Sequence, residues 1–342
     1  MDSLTHIVIG ACIGEAFAGK KLGKKAMLWG ALVQSFPDID FIAGAWLNPA
    51  ENLLAHRGFT HSLLFAGIAV TLLALLAERL HRPHNISLKT WILFFIVEML
   101  VHIFIDGFNA YGIGWLEPFS HHRFSFNAIF VIDPFFSIWA GIAFLLLLII
   151  KVHRRKRKFW WKFGVMLPAL YLCYCCINKI KIDSAIKKTF SAEHISYTNY
   201  FSTTTPFNNL LWYTVAETDS GFYVGYRSLF DEQLRMQLHF FPRNEYLLKN
   251  VSDQAALQNL KRFSKGFYTA SLQNDTLVFN DLRFGQIAGW QNADAPFAFH
   301  YFLQYSDNAL VVQRGRFAGW SKGSIAALLE RISGDQPWRL LK

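Results

Sequence analysis

Six apolar runs crowd the first half of the chain, at residues 4–19, 25–37, 62–79, 90–107, 129–150 and 159–178. They limit the possible folds more than any other feature. A helix needs about 20 apolar residues to cross the ~30 Å hydrocarbon core of a bilayer. In lipid each backbone polar group has to be satisfied within its own segment, so such runs become helices. The runs predict an α-helical polytopic membrane domain of about six helices, spanning residues 1–180. The fifth run, ending AGIAFLLLLII, carries the strongest signal, and the first two are short enough to suggest tilted or half-inserted segments. Leu4 opens the first run with no basic residue before it, and no small-x-small site comes after it, so no cleavable signal peptide is expected.

The net charge of +10 would suit a nucleic-acid binder if the chain were soluble. Here the basic residues sit in short clusters between apolar runs, which makes them topology signals rather than a nucleic-acid surface. Fourteen Lys and Arg fall in the loops after the first, third and fifth runs. They are Lys20, Lys21, Lys24 and Lys25, then Arg79, Arg82 and Lys89, then seven between Lys151 and Lys162. Six fall on the other side: Arg57, Arg123, Lys179, Lys181, Lys187 and Lys188. The bias predicts cytoplasmic basic loops, both termini outside, and a bacterial inner-membrane protein whose C-terminal part is extracytoplasmic.

From about residue 185 the texture changes to alternation, in GFYVGYRSLF, FYTASLQNDTLVFNDLRFG and FAFHYFLQYSDNALVVQRG. Asn274-Asp275 and Asp307-Asn308 read as turn centres, and Ser324–Ile332 as a short helix. A smaller β-rich soluble domain over residues 185–342 is predicted. Cys12, Cys173, Cys175 and Cys176 all lie in apolar runs, so they imply neither a disulfide framework nor metal ligation.

Four short elements carry chemistry: His6, the PDID segment with Asp38 and Asp40, the HRGFTHS segment with His56 and His61, and HIFID with His102 and Asp106. His102 and Asp106 stand four apart on a predicted helix and share a face. Traced through the alternating topology, all four elements reach one membrane face. Ionisable groups at membrane helix ends are costly and usually functional. Their convergence predicts a site for one to three divalent ions. Mixed nitrogen and oxygen donors without thiolate suit zinc, manganese or iron better than calcium, and zinc is preferred. Such ions make bound water more acidic and hold a phosphoryl oxygen. Asp38 or Asp40 is a general-base candidate as well as a ligand candidate. Arg57 and Arg123 are candidates for holding an anionic substrate. His121 and His122 are spare ligand candidates, Asp133 an outer-shell or helix-cap candidate, and Glu15 and Glu98 are acids inside predicted helices.

MDSLTHIVIGACIGEA, PDID, HRGFTHS and HIFID, in that order and spacing over about residues 1–135, resemble the YdjM-like family of bacterial inner-membrane proteins. That family is described as membrane-bound metal-dependent hydrolases and is distantly similar to zinc-dependent phospholipases C. Those enzymes bind three zinc ions through His and Asp, including an H-x-x-x-D helix pair. His102 and Asp106 match that pair; the later H and H-x-x-x-E elements have no counterpart here. The resemblance implies hydrolysis of a phosphoester such as a phospholipid or lipid-linked phosphate, with lipid as the partner. Two rivals make different predictions. A metal or solute transporter needs polar groups at mid-membrane depth. A metal-stabilised scaffold needs a closed ligand set. The pattern implies no oligomeric state.

Overall fold

The computed structural model describes residues 1–233, 235–273, 276–303, 310–313 and 321–334. The chain divides into two compact units, Met1–Leu47 with Ala55–Cys176, and Asn48–Leu54 with the chain from Ile177 onward.

The first unit is helical. α1 (Ser3–Leu22) and α2 (Lys24–Gln34) form a tight antiparallel pair. Gly10 and Gly14 of α1 face Ala26 and Gly30 of α2 so closely that a Cβ on Gly30 would stand 2.0 Å from the Gly10 carbonyl oxygen. Lipid tails are as apolar as leucine, so membrane helices associate through such close contacts between small residues. α2 ends at Gln34, and Pro37 lies in the first turn of a 3-10 segment over Phe36–Ala45. α3 (Pro49–Ala55) falls almost wholly in the segment assigned to the second unit; after it, a single 3-10 turn at Phe59–His61 leads to Ser62, whose hydroxyl accepts the Phe65 amide and caps α4 (Leu63–Leu80). α5 (Leu88–Asp106) packs on α4 and buries Trp91, Phe94, Phe95 and Met99. An irregular stretch then leads to α6 (Pro134–Ile149) and α7 (Lys156–Ala192).

Among the described residues three helices are long and apolar enough to cross a membrane: α4, α5 and α7. These three meet part of the expectation of about six, and each remaining run falls short of that length or apolarity for a physical reason. At 1.5 Å per residue, the 11 residues of α2 rise only about 16 Å. The fifth run starts as a helix only at Pro134, because Asp133 caps it through the Phe135 and Phe136 amides; its 16 residues rise about 24 Å. α1 has 20 residues but includes Glu15, Lys20 and Lys21. Glu15 is paired with buried Arg157, at 2.7 Å from Nε, and the same guanidinium donates to the carbonyls of Leu147 and of Ile150, the residue that caps the end of α6.

The second unit holds two four-stranded antiparallel sheets. One is β1 (Asn199–Thr204), β2 (Leu211–Glu217), β3 (Gly221–Ser228) and β4 (Leu238–Pro242); the other is β5 (Tyr268–Gln273), β6 (Thr276–Gln286), β7 (Phe297–Leu303) and β8 (Leu310–Gln313). Ile182, Ile186 and Phe190, at helical spacing on α7, pack against Trp212, Ala216 and Met236. Helical structure thus persists to Ala192, past the residue-185 change of texture. α8 (Gln254–Phe263) and α9 (Lys322–Ile332) complete the unit. The expected turn centres Asn274-Asp275 and Asp307-Asn308 lie outside the described residues.

Candidate metal centre

Three elements of the first unit bring four side chains to one point. The α5 terminus brings His102 and Asp106, the 3-10 segment after α2 brings Asp38, and the 3-10 turn before α4 brings His61. One donor atom from each of these four lies within 4.8 Å of all the others. His61 Nε2 is 3.6 Å from Asp38 Oδ1 and 3.5 Å from Asp106 Oδ2, and His102 Nε2 is 3.6 and 3.7 Å from the same atoms. All but Asp38 are fully buried; the Asp38 side chain is 19% exposed.

The backbone decides which imidazole nitrogen faces inward. The last carbonyls of a helix lack intrahelical partners. The carbonyl of Gln34, at the end of α2, accepts from His102 Nδ1. A carbonyl can only accept, so Nδ1 carries the proton and the neutral ring turns its Nε2 lone pair to the cluster. His61 Nδ1 lies 3.4 Å from Asp40 Oδ2 and 3.0 Å from the Thr60 hydroxyl, which favours the same tautomer. The two Nε2 atoms then stand 3.2 Å apart, lone pair toward lone pair. In that pair of tautomers a cation shared between the two nitrogens removes the repulsion. Asp38 Oδ2 is buried with no hydrogen-bond partner, and Asp106 Oδ2 has none beyond its ion-pair contact with Arg57 Nε at 3.2 Å. Buried polar atoms are rarely left in that state. Two imidazole nitrogens and two carboxylates therefore fit a divalent ion, and the same donors keep its chemical identity open.

The other expected residues flank this group. Asp40 stands behind His61, accepting the Arg57 amide at 2.7 Å and 3.3 Å from His56 Nδ1. Burial raises the Asp40 carboxyl, but the His56 hydrogen bond, the His61 and His56 charges and the Arg57 amide together hold it below the ordinary carboxylate value. His6 stacks on the His102 ring, with centroids 3.9 Å apart, and its Nε2 is 3.1 Å from Asp106 Oδ1, which also meets the Met1 amino group. His56 is half-exposed. Arg57 adopts φ 57°, a left-handed conformation uncommon outside glycine; it aims the amide at Asp40 while the side chain reaches Asp106 Oδ2, with Nε at 3.2 Å. Nη1 of Arg57 donates to Asn109 at 2.7 Å, and Tyr111 lies beneath the guanidinium. Burial lowers the Arg57 pKa to about 10 against the pull of Asp38 and Asp40. A cavity of about 490 Å³, with Asp38, Asp40, His56 and Arg57 in its wall, opens beside the cluster.

Several expected residues stand elsewhere. Arg123 is buried, and its Nη2 donates to the backbone carbonyls of His56 and Gly112, so it braces the loop that carries His56 and Arg57. His121 is exposed and pairs with Glu117 at 2.8 Å. Asp133 caps α6 and accepts from Tyr171. None of the four cysteines belongs to the ligand group. Sequence reasoning missed Gln34, whose contribution is a backbone carbonyl that any residue could supply. It also missed Asn109, which a polar side chain three residues beyond HIFID could have signalled.

The model of the YdjM inner membrane protein family matches residues 1–182, more than half of the chain and all of this cluster. The chain belongs to the YdjM inner membrane protein family. Membership carries with it a bacterial inner-membrane location. Among relatives, the inner membrane protein YbcI of Escherichia coli (strain K12) is 32% identical over 123 residues, which is 35% of this chain and 69% of that protein. A Bacillus subtilis (strain 168) relative, "Uncharacterized protein YfhP", is 32% identical over 175 residues, 44% of this chain and 52% of its own length. This YdjM-family chain thus spans only about half the length of the Bacillus relative. No solved structure matches the chain.

Proposed function

We propose that this protein is a membrane-bound metal-dependent hydrolase acting on a phosphoester such as a phospholipid or lipid-linked phosphate. The observation that carries the reading is the 3.2 Å approach of the His61 and His102 Nε2 atoms beside two carboxylates in a buried group next to an open cavity. Asp38, His61, His102 and Asp106 would hold the ion, with zinc preferred for its donor set; His6 would support a further ion. A divalent ion there supplies Lewis acidity toward water and toward a phosphoryl oxygen.

The chain's own residues do the rest. Asp40 orients His61 from behind, as outer carboxylates orient ligating imidazoles, and it lies in the cavity wall where it can take a proton from water. Arg57 places a positive charge against the carboxylates at the cavity wall and draws an anionic substrate inward. The exposure of Asp38 supports an accessible site over a closed scaffold. The pairing of Glu15 with Arg157 removes one of the two mid-helix acids a transporter would use. With basic loops inside, the cavity lies on the extracytoplasmic side, and α1, α2 and α6 are tilted or partial spans beside α4, α5 and α7.

Metal analysis of purified protein alongside a panel of phosphoester substrates tests the reading. Stoichiometric zinc or another divalent ion, with lipid-phosphoester hydrolysis that a chelator abolishes and metal restores, is expected. Protein free of transition metal and inert toward the panel would overturn it.

A further inference from the structure

The helical unit carries a second chemically distinct region, at the end away from His6, Gln34 and Asp106. The turn joining α6 to α7 forms an open cleft of about 700 Å³ lined by Ile150, Lys151, His153, Arg154, Arg155 and Lys156. Lys151, Arg154, Arg155, Lys156 and Lys158 are all exposed, whereas Arg157 between them is buried on Glu15. Residues 150–162 contain no Asp or Glu, and none of the five exposed cations has a carboxylate partner among the described residues. A second basic turn adjoins it: a Cβ on Gly23 would stand 3.2 Å from Val152 Cγ2, which brings exposed Lys20, Lys21, Lys24 and Lys25 to the same end. Lys21 in turn donates to the Asn85 carbonyl of the basic loop between α4 and α5.

The residues flanking the cluster set its depth. On its C-terminal side Phe159 is 60% exposed, Trp160 and Trp161 are partly buried, and Lys162 lies over the Trp161 ring. On its N-terminal side Ile149 is 76% exposed. Aromatic rings with one apolar and one wet end collect at the headgroup level of a bilayer. The cations therefore lie where lipid phosphates lie, and like charges held this close repel one another unless an anion is shared among them.

We propose that the Lys151–Lys158 turn is a binding site for the phosphate of an anionic phospholipid, beyond any role in setting topology. The basic turn at Gly23 extends the same anionic contact.

Tryptophan emission offers a direct test. The full-length protein is reconstituted in phosphatidylcholine vesicles and titrated with phosphatidylglycerol or phosphatidylcholine brominated on the acyl chains. The reported signal is the part of the quenching lost in W160F/W161F. Brominated phosphatidylglycerol should quench at a mole fraction roughly tenfold lower than brominated phosphatidylcholine, the scale expected of two or more basic groups acting together. Molar salt should erase the preference, as screening requires. Millimolar inorganic phosphate should leave it intact, because free phosphate lacks the bilayer anchor. K151Q/R154Q/R155Q should lose the preference; should that variant fail to insert, the salt and phosphate titrations of the wild type decide the matter. Equal quenching by the two lipids, or a preference indifferent to salt, would overturn the proposal, and displacement by millimolar phosphate would replace it with a site for soluble phosphate.

Discussion

The Nε2 atoms of His61 and His102 face each other at 3.2 Å although 41 positions separate the two residues in the chain. Each ring is held from behind, His102 by the Gln34 carbonyl and His61 by Asp40 and Thr60. If the pair holds an ion, His102→Ala removes a direct ligand. Metal affinity should fall by more than the ~10–100-fold typical of outer-shell changes. Elemental analysis after dialysis reads this. Unchanged metal content in a folded His102→Ala protein would remove His102 from the ligand set.

Asp40 separates two roles. Asp40→Asn keeps an oxygen to accept the Arg57 amide but removes the charge behind His61. Because Asp40 stands outside the four-residue group, the variant should retain its ion with affinity weakened about 10–100-fold, and lose turnover under saturating metal. Complete loss of metal at saturation would make Asp40 a ligand instead.

The site should respond to acid in a defined direction. Burial outweighs the neighbouring Asp40 carboxylate and holds His61 below the ordinary imidazole value of about 6.5. Below that pH the unfolded chain binds a proton that the folded chain resists. The stability of metal-free protein therefore declines as pH falls through about 6.5 toward the lower folded value. Metal, which needs neutral imidazole, should be released over the same range. Melting temperatures of chelator-treated protein at pH 7.5, 6.5 and 5.5 should decrease in that order; a flat or rising series contradicts a neutral buried His61.

The α1–α2 crossing offers a steric test that reaches the site indirectly. A Cβ at Gly30 would collide with the Gly10 carbonyl, and Gln34 lies one turn further along the same helix. Gly30→Leu should destabilise the protein by at least the ~1–3 kcal/mol usual for overpacking, and weaken metal retention by moving the Gln34 carbonyl from His102. Gly67→Ala on α4, with nothing within 4 Å of the new Cβ, is the control and should leave both unchanged. Thermal unfolding and metal content read the two effects together.

Orientation is open to a separate test. The basic bias between loops predicts that a reporter active only outside the cytoplasm, fused after Lys342, is active, and that a cytoplasmic reporter at the same position is silent. The opposite pattern would invert the orientation and place the cavity at the cytoplasmic face.

Helical and strand periodicities are local, and the sequence alone determined what depends on them. The apolar runs specified helices, three of them long and apolar enough to cross a membrane, and alternation in GFYVGYRS and FAFHYFL corresponds to β3 and β7. The four-residue spacing put His102 and Asp106 on one face of α5. Tertiary structure decided how far each run is helical: the Asp133 cap and Pro134 shorten α6, and packing of Ile182, Ile186 and Phe190 carries α7 past the membrane-like stretch. It also decided which of seven candidate residues share one point and which stand behind them. Asp38 and Asp40 lie two residues apart in one motif, yet one faces the two imidazoles and the other the back of His61. Pattern could not separate them, because the difference rests on a backbone carbonyl from α2, a left-handed Arg57 and a glycine crossing, each set by contacts between residues distant in the chain.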